Sequence, residues 1–363
     1  MISTNKILVL QLTISLVLAI GSLFLIELEW ISFRKTFMVE KNDLESNPGI
    51  DSVYKVTVNG IEHTLFIKSK DISNPLLVVL HGGPGFSDYY LWQTYNQRLE
   101  ENYTVVTYDQ RGSGLTYSKN TPEESMTFEQ LTDDAYKLIR FLKNEFKKQK
   151  VYLIGYSAGS VTGVYLSTLY PRDIEAFISV GQVVHGRMNE SLCLAFAYKN
   201  AVKHDNQEAI AELEPLLGNY PSGDIETKIN DLKLLRKWNR KYYGDFCEGT
   251  SINQLFDGID PEVKEKIRFD LINKGESFSM RMLWDEIIDL DLFSTNNKFS
   301  VPVYFMVGMC DYNTPFELTE KYFEIIEAPQ KRIFKFKNSG HYMQFVEADK
   351  FNEIMVNEVL NKQ

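Results

Sequence analysis

The sequence predicts an α/β protein: a mostly parallel sheet with helices on both faces and a helical segment inserted late in the chain. Three observations carry this. Short, continuously apolar runs recur at Leu76–Leu80, 103–108, Val151–Tyr156, 176–180 and 301–308, separated by segments with helical patterning. A strand buried on both faces reads as unbroken hydrophobic sequence, and strand–helix alternation implies parallel pairing. The run at Val151–Tyr156 ends in Gly155-Tyr156-Ser157-Ala158-Gly159 and passes into a helix-like stretch at 160–169, a sharp strand–turn–helix junction. Residues 183–297 then lose the strand-like runs and are rich in charge, helix formers and aromatics such as Trp238, Tyr242, Tyr243, Phe246 and Trp284.

Four regions follow: an N-terminal segment at 1–34, a first part of the α/β core at 35–182, a helical cap at 183–297, and the rest of the core at 298–363. Residues 7–26 carry no charge and are dominated by Leu, Ile and Val. About 20 residues rising ~1.5 Å each span the bilayer core, so an uncleaved transmembrane anchor is expected, with a cleaved signal peptide as the alternative. Lys6 lies on one side of the run and Arg34, Lys35 and Lys41 on the other, so charge does not orient it; export of the domain that follows is the expectation. Hydrophobic and charged contents of 44% and 24% suit a sizeable core. A net charge of −10 argues against nucleic acid as a partner. Cys193, Cys247 and Cys310 show no disulfide framework or metal spacing. Cys193 and Cys247 could pair outside the cytoplasm, but packed thiols are expected, Cys310 included.

In order, a polar linker at 35–49 leads to a hairpin at 54–67, turned by Asn59-Gly60. The Leu76–Leu80 run ends in His81-Gly82-Gly83-Pro84-Gly85, a loop whose backbone can approach a ligand closely. The next strand leads to Asp109-Gln110-Arg111-Gly112-Ser113-Gly114, where Asp109 is expected to brace the loop. Thr127 and Gln130 form a capping-box pattern before a helix whose apolar face is Phe128, Leu131, Ala135, Leu138, Leu142 and Phe146. After the insertion, the strand at 301–308 precedes Asp311, and Thr314-Pro315-Phe316-Glu317 reads as a helix start with Thr314 as N-cap. A last strand at 332–336, the loop Asn338-Ser339-Gly340-His341 and a closing helix at 349–360 complete the chain.

A serine hydroxyl becomes nucleophilic only when a base takes its proton, and an acid must hold that base in one tautomer. Of the five histidines, His63 falls in the hairpin, His81 opens the glycine loop, and His185 and His204 belong to the insertion. Only His341 follows a terminal strand of the sheet. With Asp311 after the penultimate strand, the order Ser157, Asp311, His341 is that of an α/β-hydrolase triad. The amides of Ala158 and Gly83 are the expected oxyanion donors. No metal or organic cofactor is implied.

On His81 to Gly85, Asp109 to Gly114, Gly155 to Ser160, Asp311 to Pro315 and Gly340-His341, the chain from about residue 53 onward resembles the proline iminopeptidase (prolyl aminopeptidase, peptidase S33) family of the α/β-hydrolase superfamily. The resemblance implies a serine peptidase that removes N-terminal residues, often proline, from short peptides beneath a helical cap. Two positions depart from it. Members usually show Gly-Gly-Ser-Trp-Gly-Ser at the elbow, whereas Tyr156 and Ala158 occupy its variable places here, and Tyr312 stands where some members place an amine-binding glutamate. The cap acids Glu190, Asp285 and Glu286 are candidates for that missing charge. An esterase, lactonase or amidase is the alternative activity, and a non-catalytic interaction protein of the same fold a third. Ser157 excludes chemistry that needs a carboxylate nucleophile.

Overall fold

The computed structural model describes residues 49–361. The apolar run at 7–26 lies outside the described residues, as does the expected linker apart from Gly49. Among the described residues no helix is long and apolar enough to cross a membrane.

Eight strands form one sheet: β1 (Ile50–Val58), β2 (Ile61–Ser69), β3 (Leu76–Leu80), β4 (Thr104–Tyr108), β5 (Val151–Tyr156), β6 (Ile174–Val180), β7 (Val303–Gly308) and β8 (Lys331–Phe336). Their order is β1-β2-β4-β3-β5-β6-β7-β8. β1 and β2 pair antiparallel around Asn59 (φ 48°) and Gly60 (φ 75°), the two positive φ angles of a type I′ turn. β2 meets β4 antiparallel, and every pairing from β4 to β8 is parallel. The apolar runs of β3, β4, β5 and β7 are buried throughout.

From β3 the chain steps to β4 on one side, then returns across β3 to β5 and proceeds to β6 on the other. The sheet therefore reverses direction between β3 and β5. At such a point the loops leaving the carboxyl ends of the two strands diverge and open a crevice. The glycine loop leaves β3 there, and Ser157 leaves β5.

The helices beside the first six strands are α1 (Tyr89–Tyr95), α2 (Phe128–Glu145) and α3 (Gly159–Leu169). Thr127 Oγ1 accepts from the Gln130 amide at 3.1 Å, but the Gln130 side chain turns to Asp134 at 2.9 Å, so only half of the capping box forms. Between β6 and β7 the chain builds α4 (Gly186–Lys203), α5 (Gln207–Leu213), α6 (Ile225–Lys241), α7 (Ile252–Asp257), α8 (Pro261–Lys266), α9 (Phe269–Asp289) and α10 (Leu292–Thr295). The first half of this segment has its own apolar core, in which Cys193, Leu194 and Ala197 of α4 meet Leu213, Leu235 and Trp238. The second half shares the core of the sheet through Phe246, Leu255, Ile267 and Ile272. Phe256 and Phe269 also pack around Tyr90 of α1, with ring centroids 6.2 and 5.9 Å away.

α11 (Phe316–Ile325), α12 (Met343–Val346) and α13 (Ala348–Ile354) follow β7 and β8. The expected closing helix is α13 continued by a π-helical turn, Met355–Leu360, that buries Met355 and Val359. Thr314 is not the N-cap of α11: Pro315 holds that position without a side-chain cap. The Thr314 hydroxyl is drawn instead to the Asp311 carboxylate, at 2.8 Å. A capping oxygen would accept from a backbone amide; here the hydroxyl donates to a charged acceptor, the stronger kind of bond.

Candidate active site

Ser157 sits at the carboxyl end of β5 with φ +52°, the left-handed conformation that a non-glycine residue adopts only at a cost. Its amide donates to the Val180 carbonyl at 2.9 Å, which fixes the turn to β6. Its surroundings leave little spare room. A methyl on Gly82 would stand 2.8 Å from Ser157 Cβ, and a methyl on Gly181 would stand 3.2 Å from Cε1 of His341. Ser157 and the His341 ring thus both border the turn at Val180 and Gly181. The ring also packs on Tyr156, at a centroid distance of 5.1 Å.

His341 and Asp311 are both buried, and Nδ1 of the histidine lies 2.8 Å from Asp311 Oδ2. The carboxylate is fully engaged. Oδ1 accepts from the amides of Asn313 and Thr314, each at 2.8 Å, and Oδ2 accepts from the Thr314 hydroxyl. An acid held by two amides and a hydroxyl cannot rotate, so it dictates that the imidazole proton sits on Nδ1 and leaves Nε2 as the basic nitrogen.

On the other side of Ser157, Gly83 has φ +110°, a region that favours glycine, and Ala158 follows Ser157 in the chain. Neither amide donates to an acceptor among the described residues. The loop is set from beneath by His81, whose Nδ1 bonds the Gly82 carbonyl at 2.9 Å and whose Nε2 accepts the Gln110 amide at 3.1 Å. Burial lowers the pKa of His81 to about 4, so it is a neutral brace. Asp109 braces the neighbouring loop as expected: Oδ2 accepts the Leu115 amide at 2.6 Å.

Burial pushes the carboxyl of Asp109 up to about 7 and that of nearby Asp88 up to about 8, the charge of Asp109 adding to the second shift. Both exceed the unfolded value near ~4, so the folded state holds extra protons and loses stability as pH rises through these values. The urea midpoint is expected to fall from pH 5.5 to pH 9, and Asp88→Asn to flatten that fall. An equally steep decline in the variant would assign it elsewhere.

The candidate cap acids lie elsewhere. Glu190 is buried within the cap, bound by Arg236 (Nη1–Oε2 3.1 Å, Nη2–Oε1 2.5 Å) and by the Tyr220 hydroxyl at 2.6 Å. Its charge is already neutralised. Glu286 is exposed and accepts the Phe128 amide at the start of α2 (3.0 Å), and exposed Asp285 pairs with Lys228 at 2.8 Å.

Of the acids on α9, the one drawn inward is Glu276. It is half-buried and no ion pair engages it among the described residues. Burial raises its pKa above the usual carboxylate range, partly offset by Arg240. Its charge is felt by the phenols of Tyr90 and Tyr342, the latter adjacent to His341. α9 is seated on the core by Ser279, whose hydroxyl donates to the Gly112 carbonyl at 3.0 Å. Sequence reasoning passed over Glu276 because only the packing of α9 shows which of its acids faces inward.

The cysteines also differ from expectation. Cys247 and Cys310 form a disulfide, with Cα atoms 5.3 Å apart, and Cys193 is the free, buried thiol. Burial raises the pKa of Cys193, and its Sγ lies 2.8 Å from the Tyr312 carbonyl. The two paired residues are 63 positions apart and meet only when the insertion folds back onto the loop after β7.

The profile of the alpha/beta hydrolase fold matches residues 75–348. The chain belongs to the α/β-hydrolase family. It is 31% identical over 296 residues to a Bacillus subtilis protein named probable aminopeptidase YbaC, covering 79% of this chain and 89% of that one. A proline iminopeptidase of Thermoplasma volcanium is 24% identical over 298 residues, covering 77% and 87%. Among solved structures, an esterase from Exiguobacterium antarcticum superposes with a TM-score of 0.57 at 21% identity, over 85% of this chain and 99% of that one. That last likeness speaks to the fold alone.

Proposed function

We propose that this α/β-hydrolase is a serine aminopeptidase that cleaves N-terminal residues from short peptides through an acyl-enzyme. The hydrolytic reading is carried by the buried Asp311–His341 pair beside Ser157. Ser157 Oγ attacks the carbonyl carbon as His341 Nε2 takes its proton. Asp311 holds Nδ1–H and stabilises the imidazolium, and the amides of Gly83 and Ala158 receive the oxyanion. The imidazolium then gives its proton to the leaving amine. Water, deprotonated by the same nitrogen, releases the acyl group and restores the serine.

Glu276 supports the exopeptidase reading. A half-buried carboxylate without an ion pair, whose charge reaches Tyr90 and Tyr342, would give a substrate ammonium a counter-charge. The name of the B. subtilis relative agrees. The esterase reading draws on Tyr312, which stands where some family members place an amine-binding glutamate. We also read residues 7–26 as a membrane anchor with the catalytic domain outside the cytoplasm, which the disulfide supports because such bonds persist in oxidising compartments.

The test compares kcat/KM on a prolyl arylamide and on its N-acetylated form, with Ser157→Ala as the inactive control. A strong preference for the free amine is expected. Glu276→Gln should then lower kcat/KM for the free amine about 30-fold to 100-fold, the worth of a partly desolvated charge pair, and leave the acetylated compound unchanged. Equal turnover of the two compounds by the unaltered enzyme would leave a general esterase or amidase.

A further inference from the structure

One short stretch of the cap touches both loops that carry the acid and the base. Residues 244–247 lie in the connection from α6 to α7. The Gly244 carbonyl accepts the Tyr312 amide at 2.7 Å, and the Asp245 carbonyl accepts the His341 amide at 2.8 Å. Phe246 stacks on Tyr342, with ring centroids 4.9 Å apart and planes within 9°. Cys247 is bonded to Cys310, the residue immediately before Asp311. The acid loop is gripped from the cap at further points: Asn189 Nδ2 donates to the Asn313 carbonyl at 2.9 Å, Asn239 Nδ2 donates to the Tyr312 carbonyl at 3.2 Å, and Phe196 stacks on Tyr312 at 3.8 Å. Every one of these other links is non-covalent.

We propose that the Cys247–Cys310 disulfide is a redox-controlled positioning element, which sets Asp311 and His341 for catalysis when oxidised and loosens them when reduced. The proposal rests on the serine-hydrolase reading of the site. Residues 244–247 act on Asp311 and His341 through backbone, so a small retreat of this stretch shifts both partners of the pair at once. The bond also encloses α7 to α10 and β7, and opening it would release the second half of the cap from the acid loop. Cys247 and Cys310 are half-buried and open to a small thiol, whereas Cys193 is wholly buried with a raised thiol pKa and stays inert. Reduction by a dithiol transfers two electrons and two protons. The protein disulfide becomes two thiols and the reductant closes to its cyclic disulfide.

The full-length chain is titrated with dithiothreitol, and complete reduction is verified by thiol counting. Three quantities are followed: the rate of Ser157 labelling by a fluorophosphonate, kcat and KM on the prolyl arylamide, and far-UV circular dichroism. With the dichroism unchanged, labelling and kcat are expected to fall together by about 10-fold to 100-fold, the scale of a misplacement of order 1 Å, with KM within about twofold. Reoxidation with diamide should restore both. Cys247→Ser and Cys310→Ser should sit at the reduced level whatever the redox state. Equal labelling and kcat in the two states would overturn the redox coupling alone. Loss of the helical signal on reduction would overturn it too, by making the bond a staple of the whole fold. No labelling of Ser157 in either state would overturn the serine-hydrolase reading itself.

Discussion

Replacing Asp311 with asparagine is expected to lower kcat on the order of 10⁴-fold while leaving the fold and KM nearly unchanged. The size of the effect follows from the hydrogen bonds around the carboxylate. Oδ1 faces two backbone amides, of Asn313 and Thr314. An asparagine must keep its oxygen there, because the amide donors of the turn cannot move. Its Nδ2 then takes the place of Oδ2 and points a donor at Nδ1 of His341 and at the Thr314 hydroxyl. Two donors cannot face one another, so the ring is forced into the tautomer with its proton on Nε2. That nitrogen can no longer accept the proton of Ser157. The variant should denature at the same urea concentration to within a few tenths molar, with turnover nearly gone. A fall of less than tenfold would mean that some other acid orients His341.

The division between what the sequence reveals and what it hides follows the range of the interactions. Strands such as Leu76–Leu80 and Val151–Tyr156 announce themselves because burial on both faces demands unbroken apolar runs. The Ser157 turn is equally legible, since the strand–turn–helix junction is local. Features that depend on tertiary closure are not legible in this way. Cys247 and Cys310 are 63 residues apart, and nothing in their neighbourhoods distinguishes them from Cys193. Thr314 shows a different failure. Its position before a proline and a glutamate is a sound helix-start pattern, but a buried carboxylate three residues earlier outbids the helix for its hydroxyl. Glu276 is one acid among several on an amphipathic helix, and only the burial it acquires when α9 packs sets it apart.

Glu190 offers the second large effect, on stability rather than chemistry. Glu190→Ala is expected to destabilise the protein by about 3–5 kcal/mol, because Arg236 is left charged inside the cap with its partner gone. Glu190→Leu combined with Arg236→Met should recover most of that loss, since two apolar groups of similar volume remove both charges together. The chemical consequence follows from the position of α4. That helix carries Asn189 and Cys193, which reach the carbonyls of Asn313 and Tyr312 in the acid loop. Loosening it should therefore lower kcat through Asp311, with the free amine and its acetylated counterpart affected alike. An amine-binding role for Glu190 would produce the opposite pattern: little change in urea midpoint and a raised KM for the free amine only. Denaturation curves and the two substrates separate these outcomes. With its charge consumed within the cap, Glu190 serves the site by keeping α4 against the loop that holds Asp311.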